Sequence, residues 1–472
     1  MRLMKKIAFL FLCAVAAASC NDFLNLNPIS QQGANGFYKG EYEMNQALAA
    51  VYGTLQSGDQ YGSQNGYACF MELPSDNTYN LNTTQNGGRY ADFDNFRVQP
   101  DNAAVAATWV SCFKTIANAN IVIDRSNSPE VTLSATAKDQ ITGQAYFLRA
   151  LTYFNMVRIW GNVPLLTSEV LNVNDAFNHT QSAPSDIYPV IIDDLEKAIQ
   201  TLPESWPAAD AGRATKGAAL TLLGKVYLTL GDWGSAMTQF KSVIGKYSLL
   251  DNFADVFDVS KKNNAEIIFA VKFDKTAQGE GYPSSSDPMQ SGNDVNNLPS
   301  KNLIALFNAN PDDRKDATII DAGALGIRNY KYHDTVGSNN GLGFDIIVLR
   351  YADVLLMAAE ALNEQSYGGT EALGYLNEVR KRAHASEYSY SDLPNQAAFR
   401  DAVAKERRLE LAFENHRWFD LVRTGKALDV VNANDGGSVL AVNAKAYQLL
   451  FPIPQSEIDA SAHKLVPNEG YN

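Results

Sequence analysis

Residues 215–244 read TKGAALTLLGKVYLTLGDWGSAMTQFKSVI, and this stretch narrows the choice of fold more than any other. Leu223-Gly224 and Tyr227 are followed, after a Gly231-Asp232 step, by Ala236 and Phe240. Small residues at Gly224 and Ala236 let two antiparallel helices approach closely, and Tyr227 and Phe240 fill the seam between them. Gly231-Asp232 supplies the turn. A hairpin built this way exposes an apolar face that only neighbouring hairpins can cover.

The spacings L-G-x2-Y and A-x3-F are those of the tetratricopeptide repeat, for which at least three stacked units are needed. Looser copies supply that number. ITGQAYFLRALTYFNMVRIWGNVPLL is a long apolar helix pattern stopped by Gly161 and Pro164. VLRYADVLLMAAEALNE is another, followed by EALGYLNEVRKRA, where Ala372 and Leu376 repeat the second spacing. Further helices are expected near residues 40–55 and 105–125. The expectation is a mainly α chain: tetratricopeptide-like hairpins forming one large α-domain over residues 20–472. Two long irregular insertions, about 61–96 and 273–343, interrupt the helical rhythm. The first is rich in Asn, Gly, Thr and Tyr, both are polar and neither is strongly charged, and stretches of that length inside a domain are commonly functional.

The N-terminus has its own layout. Arg2, Lys5 and Lys6 precede an apolar run too short to span a bilayer, and small residues lead into Ala17-Ala18-Ser19-Cys20. This resembles a lipobox. Residues 1–19 are therefore expected to be a lipoprotein signal peptide, with Cys20 as the lipidation site and the chain held at a membrane it never crosses. A formal charge of −13 argues against nucleic acid as a partner. Cys69 and Cys112 are the cysteines beyond the tether, and spacing does not decide between two buried thiols and one disulfide.

A search for reacting groups finds little. The five histidines form no metal-ligand pair, and there is no G-x-S-x-G elbow, C-x-x-C or P-loop. No metal or cofactor is expected. Asp92-Phe93-Asp94-Asn95 lacks the glycine and distal glutamate of a calcium loop and reads as loop surface. In AKERRLELAFENHRWFDLVRTG, Glu406, Glu410 and Glu414 lie four residues apart on one helix face, interleaved with Arg407, Arg408 and Arg417. A glycosidase needs two carboxyls facing each other across a sugar, one of them with a raised pKa. Glutamates aligned on one helix beside arginines suit a salt-bridged structural face instead. Arg350, Asp353 and Glu360 are read the same way, and no catalytic residue is expected.

Binding is what remains. Saccharides present C–H faces to aromatic rings and hydroxyls to amides, carboxylates and arginines. The first insertion gathers Asp76, Asn77, Tyr79, Arg89 and Tyr90, and the second offers Tyr282 and Asp287. These seven are the candidate ligand-binding residues. All five tryptophans lie outside the two insertions, so any stacking there depends on Tyr and Phe.

Taken together, SCNDFLNLNP, AYFLRALTYFNMVRIWGNVPLL, the 215–244 hairpin, RYADVLLMAAEALNE, ERRLELAFENHRWFDLVRTG and the closing LLFPIPQSEIDASAHKLVPNEGYN resemble the SusD/RagB family of Bacteroidetes outer-membrane lipoproteins. The chain departs from the family pattern at Asn415-His416 and at Pro467. The resemblance implies surface capture of oligosaccharides, or of peptides as in the RagB branch, without cofactor or cleavage. It also implies delivery to a SusC-like TonB-dependent transporter in the outer membrane.

Overall fold

The computed structural model describes residues 37–81, 85–172, 179–276, 281–282, 297–334, 341–434 and 441–471. The signal-peptide and Cys20 expectations fall outside the described residues, as does Asp287.

Helices carry the fold. They are α1 (Glu41–Leu55), α2 (Ala68–Met71), α3 (Ala91–Asp94), α4 (Ala103–Ser126), α5 (Ala135–Trp160), α6 (Pro184–Thr201), α7 (Lys216–Leu230) and α8 (Trp233–Lys241). After these come α9 (Lys301–Ala309), α10 (Arg314–Thr318), α11 (Tyr351–Gln365), α12 (Thr370–Arg382), α13 (Gln396–Leu411), α14 (Arg417–Arg423), α15 (Ala427–Asn432) and α16 (Gln455–Ala460). The long helices stack as sequence-adjacent hairpins: α4 on α5, α5 on α6, α7 on α8, and α11 on α12, with α8 bridging to α11. One hydrophobic core runs from Met44 to Leu465 through the whole stack. No described helix is long and apolar enough to cross a membrane.

The α7–α8 hairpin forms for the reasons its spacing suggests. Thr215 caps α7 by accepting the Ala218 N–H, and Asp232 caps α8 by accepting that of Ser235. Gly231 ends α7 with φ of 75°, in the left-handed region. A Cβ on Gly224 would lie 2.4 Å from the Phe240 ring, so the ring rests on bare backbone. Between α5 and α6 a polar clasp sits within the apolar packing of Ile187, Ile191 and Leu195. Arg149 donates to both oxygens of Asp194 at 2.8 and 2.7 Å, and to Asn120 and Thr167. Bidentate pairs of this kind fix geometry as well as charge.

Among the described residues, eight short strands pair antiparallel in twos: β1 (Thr78–Tyr79) with β5 (Leu298–Pro299), and β2 (Val163–Pro164) with β3 (Gln181–Ser182). Likewise β4 (Ile267–Val271) pairs with β8 (Ile346–Arg350), and β6 (Ile319–Asp321) with β7 (Ile327–Asn329). The insertions are thus less irregular than expected: the first contains α2, β1 and α3, and the second contains α9, α10 and β5–β7. Asp92 to Asn95 belong to the turn of helix α3 and its cap, with Asp94 Oδ2 accepting the Asn80 N–H. Cys69 and Cys112 are both buried and not joined in a disulfide, and Tyr67 Oη lies 3.1 Å from Cys112 Sγ.

Candidate functional site

The first insertion begins inside the protein. Residues 67–78 are buried throughout, because arginines from the C-terminal helices reach in to satisfy their polar groups. Arg417 donates to both oxygens of Asp76, at 2.8 and 3.0 Å, and Arg408 lies 3.0 Å from the same carboxylate. Burial by itself would raise the Asp76 carboxyl, but Arg417 and Arg408 outweigh it and hold the group below its ordinary value. Asn77 accepts from Arg408 Nε through Oδ1 at 2.8 Å and donates through Nδ2 to Glu72 at 3.0 Å. The reading of Asp76 and Asn77 as ligand contacts is corrected accordingly. Both are sealed inside, with their hydrogen-bonding capacity spent on the protein.

The structure does bring the two insertions together. Thr78 pairs with Pro299 and Tyr79 with Leu298, so β1 of the first insertion and β5 of the second form one ribbon. Ser300 tightens the junction, its N–H bonded to Asn77 O at 2.8 Å and its hydroxyl to Asp76 O at 2.6 Å. Tyr79 is half-buried on this ribbon, and the following Leu81 is exposed. Arg89, also half-buried, donates to the Tyr90 hydroxyl at 2.7 Å with its guanidinium 4.7 Å from that ring's centroid. The Tyr90 ring itself is buried. Tyr282 is buried too, bridged to Leu342 and packed edge-on against Phe273, with Phe344 tilted against it. Of the described candidates, Tyr79 and Arg89 keep access to solvent; Tyr90 and Tyr282 serve as packing.

Two adjoining clefts escaped the sequence reading. One of about 370 Å³ opens between α1, residues 211–213 and β4, with Asn45, Tyr52, Gln56, Arg213 and Lys272 among its walls. The other, about 540 Å³, shares Gln56, Ala211 and Lys272 and adds Asn263, Phe273 and Lys275. Amides, cations and one or two rings line both. No motif announces them, because the walls come from segments far apart in sequence.

The glutamate row is deeply interior. Glu406, Glu410 and Glu414 are buried, and their main partners come from other elements instead of the interleaved arginines. Arg350 bonds Glu410 at 2.6 Å and Glu414 at 2.6 and 2.9 Å, Arg314 bonds Glu406 at 2.6 Å, and Arg380 bonds Glu406 at 2.5 Å. Arg382 bridges Glu266 and Glu410, and Lys331 bonds Glu414 at 2.8 Å. Burial pushes Glu410 and Glu414 upward, yet the surrounding cations win and hold both below the ordinary range. A carboxyl in that state has no proton to give at neutral pH. The opposite case is Glu72, which burial pushes up to about 7 against the pull of Asn77 and the Phe413 N–H; it is fully enclosed.

Two family models together span most of the chain: one described as starch-binding and associating with the outer membrane over residues 22–228, the other as the SusD family over residues 289–471. The chain belongs to the SusD/RagB family. Among SusD-like relatives, a protein from Formosa agariphila, SusD-like protein P25, is 29% identical over 100% of both chains. A SusD-like protein from Bacteroides ovatus is 26% identical over 89% of this chain and 83% of its own. A solved structure of a laminarin-binding SusD-like protein superposes with a TM-score of 0.78 at 29% identity, covering 92% of this chain and 100% of that one. Surface glycan-binding protein A from Bacteroides fluxus shares the SusD fold at a TM-score of 0.80, 22% identity, and coverage of 92% and 100%.

Proposed function

We propose that this protein is a cell-surface glycan-capture lipoprotein, anchored through Cys20 in the outer membrane and facing outward. It binds oligosaccharides without cleaving them and passes them to a SusC-like TonB-dependent transporter. The observation that carries the reading is the near end-to-end likeness to a laminarin-binding SusD-like protein, at 29% identity and a TM-score of 0.78. The state of the glutamates supports binding without catalysis: the carboxylates that a hydrolase reading would need are locked in buried ion pairs. The joined insertions support a ligand surface at the β1–β5 ribbon, with Tyr79 as stacking platform, and the half-buried Arg89 is a further hydrogen-bond donor in the first insertion.

Isothermal titration calorimetry with laminarihexaose, maltohexaose and a mixed peptide pool tests the reading. Heat from an oligosaccharide, with unchanged sugar recovered afterwards, is the expected result; affinity is expected between about millimolar and micromolar, or roughly −4 to −8 kcal/mol. Heat from peptides alone would transfer the protein to the peptide-binding RagB branch.

A further inference from the structure

Arg328 stands apart from every other buried arginine. Among the described residues, Arg149, Arg314, Arg350, Arg380, Arg382 and Arg407 are each ion-paired to a carboxylate. Arg328 is 5% exposed, makes no ion pair or hydrogen bond to any described side chain, and its Nε has no acceptor. A largely buried cation without a counter-ion is unusual in this fold, which matches the six others closely.

Its place explains what it could meet. Arg328 is the middle residue of β7, opposite Ile320 of β6. The alternate face of this hairpin looks inward, where Ile319 joins a small apolar cluster with Leu303, Phe307 and Phe413. On the Arg328 face the strand ladder continues to Tyr330, whose N–H bonds Thr318 O at 2.8 Å. The half-buried Tyr330 ring is stacked on His333, with centroids 3.7 Å apart and planes 16° from parallel. Strand β7 packs beside β5, which pairs with the β1 strand that carries Tyr79. Arg328, the Tyr330 that follows β7 and Tyr79 of β1 are therefore carried by neighbouring short strands.

A planar guanidinium presents paired donors that match the oxygens of a carboxylate or sulfate. Stacked rings present a flat face to the C–H side of a sugar. With so little of Arg328 open, what reaches it is a single charged substituent, while the sugar ring stays outside. The chain's charge of −13 opposes a densely anionic polymer. From this we infer that the captured glycan carries sparse anionic substituents, uronate carboxylates or sulfate esters, read by Arg328 beside the Tyr330–His333 stack. The inference rests on the glycan-capture reading and adds the ligand's charge class to it.

Calorimetry with three oligosaccharides of equal length tests it: one bearing a single uronic acid, its carboxyl-reduced neutral counterpart, and one bearing a single sulfate. The uronate or the sulfate form should bind at least about tenfold tighter than the neutral form, and the stronger of the two identifies the substituent. Arg328→Met should abolish that preference while leaving neutral binding unchanged, and Arg328→Lys should restore part of it. Without ligand, Arg328→Met should melt no lower than the parent protein, since it removes an unpaired buried charge. Equal binding of all three sugars, or a preference that survives Arg328→Met, overturns the inference and leaves glycan capture standing. Failure to bind any saccharide overturns both.

Discussion

Arg417 grips the carboxylate of Asp76 across 341 positions of sequence, Nε to Oδ1 at 2.8 Å and Nη2 to Oδ2 at 3.0 Å. The clamp ties the first insertion to α14, with Arg408 of α13 closing on Oδ2 of the same carboxylate. Removing one partner of a buried pair strands the other, at about 3–5 kcal/mol. Asp76→Ala should lose stability of that order in urea unfolding, and residues 61–96 should become the first site of limited proteolysis.

Gly224 and Phe240 give a second test. Gly224→Ala places a methyl group 2.4 Å from the ring, and overpacking of this kind costs about 1–3 kcal/mol. The double variant with Phe240→Leu should recover part of the loss. A melting temperature unchanged by Gly224→Ala alone would show that the ring is free to move aside.

Glu72 supplies a pH test. Its folded value, about 7, lies above that of an unfolded glutamate, so the folded state holds the proton more tightly. Its contribution is present at pH 4.5 and is lost as pH rises to about 7, a difference of about 3 kcal/mol. Glu72→Gln should therefore stabilise the protein at pH 8 relative to the parent, and the gain should fade towards pH 4.5. Taking the difference between the two proteins removes the opposing effect of His416, which burial pushes down to about 3. A gap between their urea midpoints that stays constant with pH would contradict the account.

Tyr79 addresses the ligand surface. An aromatic platform contributes about 0.5–1.5 kcal/mol. Tyr79→Ala should therefore weaken oligosaccharide binding about threefold to tenfold in calorimetry while the circular dichroism spectrum stays the same. Full affinity in the variant would move the binding surface elsewhere, with the α1–β4 cleft the next place to look.

Much of the architecture could be read locally. The Gly224–Phe240 contact, the Gly231 turn and the stops at Gly161 and Pro164 follow from spacings within a few turns of chain, where periodicity speaks directly. The ligand residues were harder for a physical reason. Asp76 and Asn77 look like surface loop chemistry until Arg408 and Arg417, more than 300 positions away, are brought against them. The same holds for Glu410, whose arginine partners come from three other segments. Arg328 carries no motif at all. What sets it apart is the lack of a partner among the described side chains, and that emerges only once the chain is folded.

The ribbon between β1 and β5 has a mechanical consequence. Two residues from each insertion are laced together, and Ser300 stitches the seam to the backbone at Asp76 and Asn77, directly above the arginine clamp. Force applied at either insertion is thus shared by both and grounded in α13 and α14. The two insertions are coupled where these strands meet, so whatever lifts one strand also pulls on the other.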